Sequence, residues 1–399
     1  MSERAPSQPI AALVCPRFPY PPVSGGVKRT LRLAECMQRA GLRPTLLTDD
    51  TPDERAVRAL AQRGLESQLA TERRSRLARR AQQHMLRLPG PRSGSLLRSA
   101  REIAAGGGLV QLEGVVAASH LGFGMSGPLV FSSHNVEGEL AYSAARAVPA
   151  VSLEGLRRRY HAHRVHRTER RTARVADAVI CVSGADADVF APTARRVVVA
   201  PNGVDDEFFD VPDIGSRGDT VLFFGQFTYA PNREGINRFL AEGWPVLARL
   251  RPESRLLVAG EGSRELINPN LSADPRVEVL GLVDDIALTV AEARLTLVPI
   301  WRGGGTRLKV LEALAAGRPV VGTRLGVSGI GFESGRHGVV AESAAQLGHE
   351  AAELLAQPVR LAAMAAEGRR LAAGYRWERA LAPAEELYRA FASSCSSSE

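Results

Sequence analysis

The chain of 399 residues has little cysteine and lacks several features that would place it in a specialised class of protein. Its four cysteines, Cys15, Cys36, Cys181 and Cys395, are scattered without Cys-x-x-Cys spacing, which indicates reduced thiols rather than a disulfide framework or a zinc site. No uninterrupted run of about 18 apolar residues exists, so no transmembrane helix is expected. The segment 1–9 has no basic region followed by an apolar one, so no secretory signal is predicted. We expect a cytoplasmic protein, with the inner face of the cell membrane as a second candidate location.

A phosphate-binding motif is also absent. No Gly-Lys-Ser/Thr follows the glycine-rich stretch at 303–305, so this stretch is not a Walker A loop. An Asp-x-Asp triplet is present at Asp186 to Asp188. We expect that no metal ion or other cofactor is required. No internal repeat of solenoid period exists either.

What is present is an ordinary globular composition, with 45% hydrophobic and 24% charged residues. Short apolar runs alternate with longer helical patterns, which predicts an α/β fold with parallel sheets covered by helices on both faces. The predicted strands of the first half are Ile10 to Cys15, Thr45 to Thr48, Leu109 to Leu112, Leu129 to Phe131 and Ala178 to Ser183. Those of the second half are Val221 to Phe224, Arg255 to Ala259, Val277 to Leu280, Leu295 to Pro299 and Val320 to Thr323.

The length and the turn-rich centre of the chain predict two domains. An acidic stretch rich in turn residues places the hinge between about residues 203 and 218. We predict a first domain at 1–205, a second at 206–375, a helix at 376–392 and a disordered Ser-rich tail at 393–399.

The chain is basic, with a net charge of +8 and a pI of about 9.8, mostly from arginine. The arginines concentrate in two stretches, Glu72 to Arg101 and Leu156 to Arg174. Anionic lipid, nucleic acid or an anionic substrate would be attracted to them. No nucleic-acid-binding module is recognisable, so nucleic acid is not expected as a partner. A membrane surface remains a candidate partner, and the alternative is that these arginines only solvate helix faces.

The most informative segment begins at Trp301, with Gly303, Gly304 and Gly305 leading to Thr306. Thr306 is a natural N-cap, and the pattern predicts a helix from Arg307 to Ala316, ended by Gly317 and Pro319. Free N–H groups, the positive end of the helix dipole and the cations Arg307 and Lys309 would together bind an anion, most plausibly a phosphate. The alternative is a capped amphipathic helix whose charges are solvated.

One turn further along this helix, Glu312 shares a helical stripe with Leu308, Leu311 and Ala315, which should face inward. A buried carboxylate needs a partner. A diphosphate at the helix start and ribose hydroxyls beside Glu312 would satisfy both requirements.

Recognisable motifs occur along nearly the whole chain, at 19–26, 133–137, 200–205, 257–262, 281–285 and 303–330. Together these segments resemble those of the family-4 retaining glycosyltransferases, which have the GT-B architecture. The last is most similar to that of the bacterial exopolysaccharide sugar transferases. The resemblance implies two Rossmann-like, doubly wound domains facing a cleft, with a C-terminal helix that packs back across the junction. It also implies a nucleotide-sugar donor, UDP- or GDP-linked, in the second domain and a hydroxyl acceptor in the first.

The resemblance assigns Glu312 to the ribose hydroxyls, as the second glutamate of the family's pair. The first glutamate of that pair would fall at Gly304, so this carboxylate is missing here. Members of the family usually carry an arginine and a lysine near the start of the second domain. Here Gln226, which follows Gly225, stands where the arginine is common, and Arg233 lies near the position of the lysine. Our hypothesis is that Arg307 and Lys309 supply the missing positive charge.

The remaining candidates follow predicted strands. The resemblance makes His134 a contact of the donor sugar, and Asn135 and Glu137 are weaker candidates. Gly25 and Gly26 can let their backbone N–H groups approach a phosphate or an acceptor, although a plain tight turn also explains them. The nucleotide base should be recognised by the backbone of Leu282 and Val283. The segment Pro201 to Asp205 is predicted to be a structural turn at the hinge.

The sequence favours sugar transfer with retention to a saccharide, a lipid-linked or a small-molecule hydroxyl, in polysaccharide or glycoconjugate synthesis. The alternatives are a transferase that decorates a secondary metabolite, a nucleotide-sugar 2-epimerase of the same architecture, and a binding protein with an inactive donor site.

Overall fold

The computed structural model describes residues 8–22, 24–69, 94–118, 125–212, 218–303 and 308–396. Within these residues the chain divides into two compact units. The first unit contains residues up to Pro201 and those from Leu381 onward, and the second unit runs from Asn202 to Ala380. No helix in the described ranges is both long enough and apolar enough to cross a bilayer. The cysteines whose side chains are described, Cys15, Cys36 and Cys181, are free and buried.

The first unit alternates strands with helices. Its strands are β1 (Ile10–Val14), β2 (Arg43–Thr48), β3 (Glu66–Leu69), β4 (Leu109–Glu113), β5 (Leu129–Ser132), β6 (Ala178–Cys181) and β7 (Val197–Val199). Its helices are α1 (Gly25–Arg39), α2 (Glu54–Gln62), α3 (Gly94–Ala105), α4 (Gly114–Ala118), α5 (Glu137–Arg146), α6 (Leu153–Val175) and α7 (Gly184–Phe190).

The second unit repeats this alternation. Its strands are β8 (Thr220–Phe224), β9 (Arg255–Ala259), β10 (Val277–Gly281), β11 (Leu295–Val298), β12 (Val320–Gly322) and β13 (Gly338–Val340). Its helices are α8 (Ala230–Arg238), α9 (Trp244–Leu250), α10 (Ser263–Leu266), α11 (Ile286–Ala291), α12 (Leu308–Ala315), α13 (Ala344–Leu355) and α14 (Pro358–Ala373), and α15 (Trp377–Ser396) follows. A 3-10 turn (Asp206–Phe208) precedes β8, and a π-helical turn (Phe239–Gly243) joins α8 to α9.

Each unit is built on one parallel sheet. The first sheet has seven strands in the order β3-β2-β1-β4-β5-β6-β7, and the second has six in the order β10-β9-β8-β11-β12-β13. The central strand β1 pairs with β2 on one side and with β4 on the other, with Ala12 opposite both Thr45 and Val110. The chain therefore winds outward from β1 and β8 in both directions, as predicted for a doubly wound fold.

The apolar runs of the second unit explain its sheet. Val221 and Phe223 belong to the core on one face of β8, whereas Leu222 and Phe224 belong to the core on the other face. A strand buried on both faces needs an uninterrupted apolar run, because successive side chains point to opposite sides. This is why the prediction of β8 from its apolar run succeeded, whereas the short strands β3, β7 and β13 were not predicted.

Helix α12 ends as the sequence predicts. Gly317 has a φ of 68°, and its N–H donates to Leu314 O at 2.9 Å. The N–H of Arg318 donates to Ala313 O at 2.8 Å, which completes a Schellman motif. The predicted N-cap at Thr306, with Gly304, Gly305 and Arg307, lies outside the described residues.

Two helix boundaries differ from the prediction. The sequence predicts a helix from about Val27 to Ala40, but helix α1 spans Gly25–Arg39, so that Gly25 and Gly26 form its first turn instead of the preceding loop. Helix α15 continues to Ser396, beyond the predicted end at 392, and the predicted disordered tail at 393–399 is therefore helical over its first residues. The hydroxyl of Ser393 donates to Arg389 O at 3.0 Å, so this serine is compatible with helix. Residues 397–399 lie outside the described part.

The segment Pro201 to Asp205 makes a defined contact in the second unit. The N–H of Val204 donates to Tyr375 O at 2.8 Å, and Gly203 faces Trp377, the first residue of α15. A Cβ on Gly203 would lie 2.5 Å from the Trp377 ring, so the glycine is required by the close packing of the indole.

Candidate functional site

In the second sheet, the strand order reverses around β8, which lies between β9 and β11. The carboxyl ends of strands at such a point form the usual ligand site of a doubly wound sheet. Gly225 follows β8 directly, with a φ of 148° and its N–H donating to Ala259 O at 3.0 Å. A Cβ at this position would lie 2.7 Å from Lys309 Nζ and 3.0 Å from Asn232 Nδ2. The absence of a side chain at Gly225 therefore allows the cation to approach the end of β8.

Lys309 projects from the described start of α12 and is fixed by two neighbours. Its Nζ donates to Asn232 Oδ1 at 2.8 Å and lies 4.4 Å from the centroid of the Phe223 ring. Asn232 is buried, and its Nδ2 donates to Gln226 O at 2.7 Å. The structure thus brings Gly225, Gln226 and Lys309 together through Asn232, a residue that the sequence analysis did not single out.

Glu312 lies one turn further along α12 and is buried, with 8% of its surface exposed. The prediction that this carboxylate faces inward is confirmed. Leu311 and Ala315 are fully buried, and Leu308 is half-buried at the described start of the helix. Such burial is costly for a carboxylate unless polar groups surround it, and the ribose contact stays a prediction.

The side chain of Gln226 does not point at Lys309. Its Nε2 donates to Glu261 Oε2 at 2.9 Å. The resemblance implies an arginine at position 226, and here a neutral amide that is hydrogen-bonded to a carboxylate takes its place. Arg233 lies in α8 and is half-buried, and its guanidinium has no hydrogen-bond or ion-pair partner among the described residues. Arg233 is therefore a second cation of this unit that is available to an anion.

The loop after β10 contains the predicted base-binding residues. Leu282 is 73% exposed, whereas Val283 packs against the core. Asp285 caps α11 by accepting the N–H of Leu288 at 3.0 Å, so its carboxylate has a structural role. Arg264 lies across Gly281, where a Cβ would be 3.0 Å from Arg264 Nε. Arg264 was missed by the sequence analysis because its proximity to the loop depends on the pairing of β9 with β10.

In the first unit, His134 and Gly26 lie together. A Cβ on Gly26 would be 3.1 Å from His134 Nδ1, so the glycine leaves space for the imidazole beside the first turn of α1. The first N–H groups of a helix have no acceptor within it. Gly26 therefore places the first turn of α1 beside His134, and the contact of its N–H groups with a phosphate or an acceptor stays a prediction.

The other ring nitrogen of His134 contacts a residue that the sequence analysis missed. His134 Nε2 is 2.6 Å from Oε2 of Glu113, the last residue of β4. Glu113 is fully buried and also accepts hydrogen bonds from Gln111 Nε2 and from Thr30 Oγ1, the latter at 3.2 Å. Gln111 Oε1 accepts the Tyr388 hydroxyl at 2.7 Å. An acidic residue directly after the predicted strand 109–112 was the signal in the sequence that could have identified Glu113.

Glu113 is ionised despite its burial. Burial alone would raise the pKa of this carboxyl, but the hydrogen bonds and charge of His134, the hydrogen bond from Gln111 and the charge of Arg29 lower it below its usual value. Burial in turn lowers the pKa of Arg29, a guanidinium that donates to Pro201 O at 3.2 Å. The first unit therefore holds a carboxylate, a histidine and an arginine in one partly buried polar network.

Asn135 and Glu137 have structural contacts. Asn135 Nδ2 donates to Glu137 Oε1 at 3.1 Å. The N–H groups of Glu137 and Gly138 donate to the carboxylate of Glu169 at 2.7 and 2.8 Å, which caps the start of α5. These contacts account for both candidates without a ligand.

Comparisons with known proteins agree with this architecture. Residues 23–208 match the family model described as Glycosyltransferase Family 4, and residues 218–357 match the model described as Glycosyl transferases group 1. The chain is 27% identical over 210 residues to D-inositol 3-phosphate glycosyltransferase of Segniliparus rotundus, covering 47% of this chain and 46% of that protein. The chain spans about half the length of the curated relatives it matches.

Two solved structures show the same fold. Sucrose-phosphate synthase of Thermosynechococcus elongatus matches with a TM-score of 0.71 at 17% identity, covering 96% of this chain and 99% of that one. HepE of Anabaena in complex with UDP and glucose matches with a TM-score of 0.68 at 16% identity, covering 97% and 100%. The two family matches and the two doubly wound units together show that the chain belongs to the family-4 glycosyltransferases of GT-B type.

Proposed function

We propose that the protein transfers a sugar from a nucleoside diphosphate sugar to a hydroxyl acceptor, with retention of configuration at the anomeric carbon. The donor binds in the second unit, with its diphosphate at Lys309 and its ribose at Glu312. The transfer requires no metal ion. The resulting glycosidic bond belongs to the synthesis of a polysaccharide or glycoconjugate.

The observation that carries this proposal is the position of Lys309. Its Nζ is fixed by Asn232 and Phe223 beside Gly225, at the carboxyl end of the central strand β8. Fixed cations at the site of developing charge stabilise a leaving diphosphate, often by several kcal/mol. The half-buried guanidinium of Arg233 adds a second positive charge in the same unit.

The comparisons support the choice of substrate class. HepE of Anabaena has been solved with UDP and glucose, and the curated relatives are named D-inositol 3-phosphate glycosyltransferases. We propose a uridine diphosphate sugar as the first donor to test and a guanosine diphosphate sugar as the second. His134 contacts the transferred sugar, and the departing phosphate accepts the proton of the acceptor hydroxyl on the same face.

The test combines calorimetry with product analysis. UDP, GDP and their hexose derivatives are titrated into the wild-type protein and into Lys309→Ala/Glu312→Ala. We expect micromolar to millimolar binding of one nucleotide series to the wild type and at least tenfold weaker binding to the double variant. The control Arg324→Ala/Glu342→Ala removes an exposed ion pair of the same unit and should bind as the wild type does.

The products separate this function from its alternatives. Incubation of the bound donor with saccharide, polyprenyl-phosphosugar and small hydroxyl acceptors should give a glycoside whose anomeric proton coupling matches that of the donor. Interconversion of the free nucleotide sugar at C2 would establish an epimerase instead. Failure of every nucleotide to bind would indicate an inactive donor site and would overturn the proposal.

We also propose that helix α6 docks on an anionic membrane, where a lipid-linked acceptor would reside. Large apolar side chains are exposed at and before its start: Val151 at 93%, Leu153 at 65%, Leu156 at 57% and Tyr160 at 61%. Exposed arginines continue the same helical face, at Arg157, Arg164, Arg167 and Arg171. Exposed apolar side chains can insert into a bilayer surface, and a neighbouring cluster of cations is attracted to anionic lipid. In the other basic stretch, at 72–101, residues 72–93 lie outside the described part of the chain.

Sedimentation with lipid vesicles tests this proposal. The wild type should bind vesicles that contain phosphatidylglycerol and not pure phosphatidylcholine vesicles, and 0.5 M salt (~4 Å screening length) should weaken the binding. Leu156→Asp/Tyr160→Asp should lose it, whereas the control Leu250→Asp, at an exposed leucine of the second unit, should not. Equal binding of the wild type and Leu156→Asp/Tyr160→Asp would refute the docking face.

A further inference from the structure

The two ring nitrogens of His134 have different surroundings. Nε2 lies 2.6 Å from the buried carboxylate of Glu113. Nδ1 faces the backbone of Gly26 and has no hydrogen-bond partner among the described residues, and the side chain is 22% exposed. One nitrogen is therefore held by the protein, and the other has no partner among the described residues, in a side chain that is partly exposed.

We propose that Glu113 is a positioning residue that keeps a proton on His134 Nε2. Nδ1 is then the nitrogen that accepts a hydrogen bond from a substrate hydroxyl. A carboxylate can only accept, so the neutral imidazole must donate from Nε2 and present its lone pair at Nδ1. Against the effect of burial, the hydrogen bonds from His134 and Gln111 lower the pKa of Glu113, and they do so without a charge on the imidazole, so Oε2 is an acceptor.

A polar chain from the last helix fixes the orientation of this carboxylate. The Tyr388 hydroxyl donates to Gln111 Oε1, which turns Gln111 Nε2 toward Glu113 Oε1. Glu113 Oε1 is therefore occupied by an amide donor, and Oε2 is the oxygen left for His134 and Thr30. All five side chains belong to the first unit.

This polarity predicts what Glu113→Gln would do. With Gln111 oriented as in the wild type, the new amide places its oxygen toward the Gln111 donor, which leaves its NH₂ group facing His134 Nε2 and Thr30 Oγ1. Thr30 can accept from that group while donating to Gly26 O, from which its Oγ1 is 3.0 Å away. His134 Nε2 would then have to accept, and the proton would move to Nδ1. The substitution thus inverts the tautomer while satisfying these hydrogen bonds.

The direct test is ¹⁵N NMR of the histidine side chains in the full-length wild-type protein, without any ligand. His134 is assigned from the signal that disappears in His134→Gln. We expect the Nε2–H form in the wild type and the Nδ1–H form in Glu113→Gln. The matched control Glu139→Gln removes an exposed carboxylate of the same unit and should leave the wild-type pattern. An Nδ1–H form in the wild type would overturn the proposal, even if Glu113→Gln does not fold.

The catalytic consequence rests on the proposed sugar transfer and is measured separately. Glu113→Gln should lower kcat by at least about a hundredfold, the lower end of what a correctly protonated catalytic side chain contributes, with an unchanged Kd for the nucleotide. Tyr388→Phe, which removes the outer end of the chain, should lower kcat less than Glu113→Gln does. An unchanged kcat in Glu113→Gln would contradict the role of Nδ1. If the protein transfers no sugar at all, only the proposed function fails, because the NMR result stands by itself.

Discussion

The charge of Lys309 is the feature of the second unit whose removal is most informative. Lys309→Met keeps an unbranched, largely apolar stem against Phe223 but removes the ammonium group that donates to Asn232. The fold should tolerate this change, because Lys309 is only half-buried and the released Asn232 amide still donates to Gln226 O. The main loss should fall on binding of the diphosphate.

The size of the loss follows from the contact. A hydrogen bond to a charged group contributes about 1.5–3 kcal/mol, and about 1.4 kcal/mol corresponds to a tenfold change in affinity. We therefore expect the Kd of the nucleotide to rise by about 10- to 100-fold. At a ligand concentration of about 100 times the wild-type Kd, binding stabilises the wild type by about 2.7 kcal/mol. A 30-fold weaker variant would gain only about 0.9 kcal/mol at that concentration.

Isothermal titration gives the Kd, and ligand-dependent thermal unfolding gives the stabilisation independently. Arg238→Met serves as the control, because Arg238 pairs with Glu242 and stacks on Trp301 in the same unit. The reasoning is refuted if Lys309→Met binds the nucleotide as tightly as the wild type, or if Arg238→Met loses equal affinity.

Three further outcomes are expected. Gly225→Ala should destabilise the protein by about 1–3 kcal/mol, since φ is 148° and a Cβ would meet Lys309 Nζ, and denaturant unfolding measures this loss. Burial raises the pKa of Glu169 to about 7 from an ordinary 4.5, so its contribution to stability is complete below pH 4.5 and is lost as the pH rises through about 7. That loss amounts to about 3 kcal/mol, and the unfolding free energy of Glu169→Gln should show a flatter pH dependence. Treatment with EDTA followed by gel filtration should leave the initial rate of sugar transfer unchanged, and a rate restored only by added Mg²⁺ or Mn²⁺ would contradict the metal-free proposal.

Much of the fold was predictable because its strands are buried on both faces. Apolar runs such as Val221 to Phe224 leave no choice of face, so the periodicity of the sequence identifies the strand directly. The C-terminal stop of α12 was also predictable, since a glycine in the left-handed region is a local requirement. The start of α1 was less so, because Ser24 makes no side-chain cap and no local signal marks Gly25.

The candidate site was predictable only in part. Lys309 and Glu312 lie on one short helix, so their relative positions follow from helical spacing. Asn232, Arg264 and Glu113 were missed because each reaches its partner through the order of strands, from positions distant in the sequence. The link between Gln226 and Glu261 shows the same limit, since it joins the loops that follow two neighbouring strands.

The sequence by itself determined where most of the described strands lie, although not β3, β7 and β13, and which family the motifs resemble, because periodicity, capping and turn chemistry act over a few residues. Only the tertiary structure decided that Glu113 meets His134 and that Tyr388 of the last helix reaches the same network. Hydrogen bonds of this kind join side chains on different strands and helices. Their partners are chosen when the sheet fixes its strand order and the helices pack against it, and no local pattern in the chain encodes that choice.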